Sequence, residues 1–250
     1  MASFKLGISD MAVDGPLQVS QGLIAAMGTR MFVCYEERIP TDGRVLVISN
    51  HRSFMDVPIL MAATRRSIRF ACHYYMSQVP VLREIVTAMG AFPLEPHNQR
   101  QGHCLHRARE ILQAGEWVGI FPEGGQAMVK LTSPLEVGNF HRGFAHLAFQ
   151  AEVENLAILP SAIASSEEVV FQPIPLRLLS FFDPSEPLFQ QEGWHPVVIY
   201  KQVKVLFGRP FWITPSQRKA YSGKLAKAVV ADLLSQCRAE IADLLNQGRN

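Results

Sequence analysis

The sequence predicts an α/β fold: a single domain with a mostly parallel or mixed central sheet flanked by helices, an N-terminal helical segment and a long C-terminal helix. Three observations predict it. Short apolar runs alternate with stretches whose apolar residues recur at helical spacing, the signature of strand–helix–strand crossover units. The strongest run, Val45-Leu46-Val47-Ile48, is continuously apolar, as buried strands are. The length, 250 residues, suffices for one large α/β domain with a sizeable core. Residues 1–40 read as the helical segment, suited to associate with a membrane, and residues 41–250 as the main domain.

Met1-Ala2-Ser3-Phe4-Lys5 lacks the basic-then-apolar layout of a secretory signal. The apolar stretch from Leu23 through Cys34 is too short and too interrupted by Thr29 and Arg30 to span a bilayer. It is either a helix lying in a membrane interface or a first helix packed on the protein.

Gly43 opens the first strand, Arg44 to Ser49, and Asp56 precedes a helix that ends near Arg65-Arg66-Ser67. Ile68 to Cys72 is a second strand, followed by a helix from about Met76 to Met89 that Gly90 stops. Ala91 to Leu94 forms a short strand, which Pro93 marks as an edge or irregular one. The next helix covers about Gln99 to Gln113 with Gly115 beyond it, and Trp117 to Phe121 is a strand cut off by Pro122-Glu123-Gly124-Gly125.

Gly143 to Gln150 is helical and Leu156 to Ile163 is another apolar strand. Residues 164–195 carry four prolines with little periodicity, so they read as one long irregular segment, functional or mobile. Within it Leu176 to Phe182 either dips into a membrane, covers an acyl chain or plugs a loop. Val197 to Phe207 gives one or two strands. Thr214-Pro215-Ser216-Gln217 has the layout of a capping box, and the last helix runs from there to about Gln247. Arg218, Lys219, Lys224 and Lys227 crowd its first turns, either as a solvated face or as a contact for anionic lipid or phosphate.

Composition narrows the function. Hydrophobic residues make up 48% and charged residues 18%, fewer charges than the usual quarter, which tilts the chain toward an apolar partner. A net charge of +2 with no basic run leaves no nucleic-acid footprint. Cys34, Cys72, Cys104 and Cys237 are far apart without metal or disulfide spacing, and read as reduced cytosolic thiols. His103, Cys104 and His106 sit on a helical stretch without a fourth ligand at sensible spacing, so no metal is expected.

The chemistry concentrates at strand ends, where α/β sheets gather ligands. Asn50-His51-Arg52-Ser53-Phe54-Met55-Asp56 sets an imidazole and a carboxylate five positions apart just past the first strand. That layout suits a base, His51, held in one tautomer by its acid, Asp56. Asp56 is also placed to cap the following helix, and the two roles are compatible. Glu123 falls at the end of another strand, either as a functional residue or as part of a turn. Ser53 reads as a turn residue bonding local backbone.

His51 to Asp56 resembles the first block of the glycerolipid acyltransferases related to lysophosphatidic acid acyltransferase. Phe121-Pro122-Glu123-Gly124 resembles their third block and Ile158 to Ile163 their fourth. Phe140-His141-Arg142-Gly143 and Phe207-Gly208-Arg209-Pro210 match further short patterns of that family. The likeness covers roughly residues 35 to 215. It implies that His51 is the general base, that Asp56 orients it, and that Glu123 and Gly124 help place the acceptor. It implies acyl transfer from acyl-CoA or acyl carrier protein to a lysolipid hydroxyl, without further cofactor, by a peripheral or monotopic protein at the cytoplasmic face of a membrane. Direct transfer needs no enzyme nucleophile.

The chain departs from that pattern where the family holds the acceptor's phosphate. Gly125-Gln126-Ala127 stand where the third block continues with Thr-Arg-Ser, and Gly90 to Glu95 lacks the second block's arginine. Arg142 and Arg52 are the first substitutes to consider, with Arg100 and Lys130 behind them. Otherwise the acceptor carries a different head group. A lipid-binding module without turnover is the alternative outside enzymology.

Overall fold

A computed structural model describes residues 15–95, 102–129 and 131–249. In chain order its helices and strands are α1 (Gly15–Met27), β1 (Arg30–Cys34), β2 (Arg44–Ser49), α2 (Asp56–Thr64), β3 (Ile68–Cys72), α3 (Tyr74–Gln78), α4 (Pro80–Ala88), β4 (Phe92–Pro93), α5 (His103–Gln113) and β5 (Trp117–Ile120). There follow α6 (Gln126–Val129), α7 (Gly143–Gln150), β6 (Leu156–Pro175), α8 (Leu176–Leu179), β7 (Trp194–Phe207), β8 (Phe211–Trp212), α9 (Pro215–Tyr221) and α10 (Ala226–Gln247).

The strands form one mixed sheet in the order β1-β7-β6-β2-β5-β3-β4, with β8 pairing β6. From β6 to β4 every neighbour is parallel. β7 runs antiparallel to β6, and β1 is parallel to β7. The expected α/β architecture is therefore present in its mixed form, with the long helix α10 at its C-terminal side.

Sheet pleating sorts the residues of β2 between two cores. Leu46 and Ile48 face a layer formed with α5, α7 and α10, through residues such as Ile111, Phe144 and Ile241. Val45 and Val47 face the opposite layer, where α1 and α2 contribute Ile24, Ile59 and Leu60. All four β2 residues are fully buried, each contributing about 2 kcal/mol of hydrophobic stabilisation. A third, smaller cluster joins Tyr75, Val129, Leu176, Leu179 and Phe189 beyond the sheet's carboxyl edge.

Several expectations need correction. The stretch 23–34 is not one helix: α1 ends before Gly28, whose φ of +65° turns the chain, and residues 30–34 form a strand of the main sheet. α1 packs with Ser20 and Ile24 buried. The helix expected from Met76 to Met89 is split at Val79, because Pro80 forces an extended residue before it and starts a new helix. The helix expected from Gln99 is described only from His103. Residues 164–175 are strand, since β6 continues to Pro175 against β7, with register shifts after Ser165, Glu167 and Phe171. The last helix is two helices with residues 222–225 between them; the capping box at Thr214 is present in both its bonds. Arg218 turns inward and donates to the carbonyls of Phe149 and Val153 at 3.0 and 2.8 Å.

Candidate active site

The site is built where β2 leaves the sheet. Asn50 extends the pairing of β2 with β6 by one residue: its side chain donates to the Ile163 carbonyl at 3.0 Å and accepts from the Ile163 N–H at 2.9 Å. On the other side, the backbone N–H of His51 donates to Glu123 Oε1 at 3.0 Å. The strand end is thus gripped from both neighbours before the imidazole departs.

Asp56 organises the turn. Its Oδ2 accepts from His51 Nδ1 at 2.8 Å, from the Arg52 N–H at 2.7 Å and from the Ser53 N–H at 2.9 Å. Its Oδ1 accepts from the hydroxyl of Tyr200 at 2.8 Å. The carboxylate is completely buried, which is tolerable only because four donors replace its water. An ionised carboxylate accepts only, so Nδ1 carries the proton and Nε2 is left with a lone pair. Asp56 is therefore no N-cap: Met55 holds that position, without a side-chain bond, and the carboxylate faces back over the turn.

The ring plane of His51 is set by stacking. Phe121 lies 4.0 Å away at 9°, and Phe70 stacks on Phe121 at 5.0 Å. Phe70 occupies the space beside Gly119, where a Cβ would fall 2.1 Å from its ring. A bare backbone in β5 thus permits the stack that orients the imidazole.

Glu123 is buried, and both its oxygens accept backbone N–H groups, Oε1 from His51 and Oε2 from Gly138 at 2.7 Å. Burial raises its pKa, and the two N–H bonds oppose that rise. Its contacts are those of a brace between three loops. Gly124 adopts φ +69° in the same turn, with the ring of His141 against it. His141 donates its N–H to the Pro122 carbonyl at 2.8 Å, which brings the neighbouring Arg142 beside this turn with its side chain exposed.

Arg52 departs from the role considered for it. Its guanidinium is buried, donates to both oxygens of Glu168 and gives its Nε–H to the Thr132 carbonyl at 2.7 Å. It ties the turn to β6 and is already neutralised. Arg100 and Lys130 lie outside the described residues. Ser53 accepts from the local Met55 N–H as expected of a turn residue, and its hydroxyl donates to the distant Val198 carbonyl of β7, a bond the turn reading did not include.

Sequence reasoning gave no part to Tyr200, Phe70 or Gly138, and passed over Asn50. Only Asn50 had a signal, an amide directly between strand and motif. The described residues also bring together His73, Asp183 and Glu186, whose ligand atoms lie within 4.8 Å of one another. His103, Cys104 and His106 do not converge in this way. His73 Nε2 meets Glu186 Oε2 at 3.0 Å.

An imidazole–carboxylate pair thus stands at the carboxyl edge of an α/β sheet, the edge at which such folds gather ligands. Residues 30–164 match the family model Acyltransferase. The chain belongs to that family.

Among its relatives are the chloroplastic 1-acyl-sn-glycerol-3-phosphate acyltransferases LPAT1 of Arabidopsis thaliana and BAT2 of Brassica napus. The first is 27% identical over 136 residues, covering 54% of this chain and 36% of the relative. The second is 31% identical over 106 residues, covering 42% and 30%. An uncharacterized protein of Mycobacterium tuberculosis is 26% identical over 197 residues, 72% of this chain and 52% of that protein. The chain thus spans about a third of the plant relatives' length. The crystal structure of PlsC, the 1-acyl-sn-glycerophosphate acyltransferase of Thermotoga maritima, superposes with a TM-score of 0.60 at 17% identity, over 93% of this chain and 77% of that one. It shares the fold.

Proposed function

We propose that the protein is an O-acyltransferase that moves a fatty acyl chain from acyl-CoA or acyl carrier protein to the free hydroxyl of 1-acylglycerol-3-phosphate, giving phosphatidic acid. The observation that carries this reading is the 2.8 Å contact between His51 Nδ1 and Asp56 Oδ2. It leaves Nε2 as the basic nitrogen on a ring whose side chain is 15% exposed.

In this mechanism Nε2 takes the proton of the acceptor hydroxyl as its oxygen attacks the thioester carbonyl. Asp56 stabilises the imidazolium that results. The tetrahedral oxyanion then collapses, the C–S bond breaks and the departing thiolate takes the proton back from Nε2. Ester and free thiol are the products, and the enzyme is unchanged. Glu123 serves by fixing the backbone of His51, and Arg142, exposed beside Gly124, supplies the cation for the acceptor's phosphate.

A second reading differs in the acceptor. Arg52 is committed to Glu168 and the family's phosphate arginines are absent, which favours another lysolipid or glycerol-3-phosphate. Membrane association is peripheral or monotopic in either case and at the cytoplasmic face. No helix among the described residues is long and apolar enough to cross a membrane.

Labelled acyl donor offered with a panel of lysolipids and glycerol-3-phosphate separates the readings. Preferential diacylation of lysophosphatidate, with Arg142→Ala raising the KM for that acceptor far more than for the donor, is the expected result. Equal effects on both substrates refute the role of Arg142. A chain that binds lysolipid but releases no thiol from any donor is a binding module.

A further inference from the structure

The antiparallel ribbon of β6 and β7 has two unlike ends. Its base is tied into the site by Tyr200, Ser53 and the Arg52–Glu168 pair. Beyond Glu168 it exposes a series of large apolar side chains, with Gln172, Arg177, Gln190, Gln191 and Glu192 exposed among them. Phe171, Ile174, Leu178, Phe181, Phe182 and Trp194 all lie between residues 171 and 194, with Phe181 81% exposed and Trp194 51%. An apolar gathering of this kind on a soluble surface marks an interaction site.

The patch has a firm floor, because Leu176, Leu179 and Phe189 beneath it pack on Tyr75 and Val129. From residue 169 to 194 the exposed charged residues are Arg177 and Glu192, which pair at 3.2 Å, while Asp183 and Glu186 are buried beneath them. Exposed Trp and Phe over a charge-paired surface suit the interfacial layer of a bilayer, where aromatic rings settle and unpaired charge is costly.

Its place in the fold names the occupant. β6 runs parallel to β2 with Ser161 opposite Ser49, so every residue of β6 after Ser161 lies past the sheet edge that carries His51. Val81 on α4 and Leu131, 69% and 51% exposed, belong to segments that follow the same edge. The apolar surface and the candidate base therefore open on one side.

We infer that the ribbon tip is a bilayer-docking surface. Phe171, Leu178, Phe181, Phe182 and Trp194 enter the lipid interface and hold the mouth of the His51 site against the layer that contains lysolipid. The purpose of docking rests on the acyltransferase reading; the surface itself does not.

The test is sedimentation of the full chain with vesicles of phosphatidylcholine alone. Binding is expected and survives about 0.5 M NaCl, since it is not driven by charge. Phe181→Ser with Phe182→Ser lowers the partition coefficient at least about tenfold. Bromine-labelled lipid quenches the wild-type tryptophan emission, and Trp194→Phe removes most of that quenching. Thiol release with a short-chain, monomeric lysophosphatidate stays within about twofold in the double variant, while release with vesicle-embedded acceptor falls with binding. Undiminished vesicle binding in the double variant overturns the inference, as does concentration-dependent self-association that the same substitutions abolish. A wild type that docks through the tip yet turns over no donor refutes the acyltransferase reading and leaves the docking surface standing.

Discussion

His51 stands two residues past β2 and His73 directly past β3, the two parallel strands that flank β5, and each has a nitrogen close to a carboxylate: 2.8 Å to Asp56 and 3.0 Å to Glu186. They differ at the second nitrogen. His73 Nδ1 faces Asp183 Oδ2 at 3.8 Å, so acids address both sides of the ring. Among the described residues none bonds His51 Nε2. His51 also lies flat on Phe121, whereas His73 is tilted between Tyr75 and Phe189 at 5.1 and 5.3 Å. An acid beside an imidazole makes a base only if it takes one nitrogen and leaves the other.

Exchanging either histidine for alanine tests this contrast most severely. His51→Ala is expected to lower thiol release at least about a thousandfold, within the range of a lost general base and its orientation. His73→Ala should leave release within about threefold while lowering stability in urea by about 2–4 kcal/mol, the cost of removing the imidazole from between two buried carboxylates. Comparable loss of turnover in both variants would break the distinction.

Asp56→Asn removes the charge that selects the tautomer and should cost about a hundredfold or more in kcat with little change in KM for the donor. Tyr200→Phe is milder. It deletes one donor to a buried carboxylate, an interaction of about 1.5–3 kcal/mol, and lowers both stability and kcat on that scale. Burial and the neighbouring Asp56 charge hold the Tyr200 phenol well above its ordinary pKa, so no loss of this bond is expected on the alkaline side of the activity profile below pH about 10.

A third histidine gives the smallest effect. Burial lowers the pKa of His195, which lies within the apolar tip opposite Ile174. A lowered value means that the unfolded chain binds a proton more readily than the folded one, so stability is full above about pH 6.5 and declines as the pH falls below it. His195→Gln should flatten that decline, by at most about 1.4 kcal/mol per pH unit, as read from urea midpoints between pH 7 and 5.

The parts of the molecule that were legible in the sequence are local ones. β2, α2 and α7 follow from contiguous patterns, and the His51–Asp56 pair from a spacing of five within one turn. What escaped is held from a distance. β1 pairs with β7 about 170 residues later, so five residues after a helix carry no mark of being a strand. The extension of β6 is concealed by Pro173, Pro175 and polar residues, and only β7 makes it a strand. Tyr200 reaches Asp56 across 144 positions, and no motif of either segment announces that bond. Arg52 read as a candidate phosphate cation because its partner Glu168 is 116 residues away.

The ring stack that begins at Gly119 turns His51 into its own reporter. A phenyl face lying parallel to the imidazole at 4.0 Å shields the carbon-bound protons of that ring, and the other ring-contacting histidines among the described residues, His73 and His146, meet their neighbours obliquely. In a proton spectrum the His51 resonances are thus displaced upfield from the rest. The charge state of the candidate base can be followed by its own signal, in the intact protein and without a substitution.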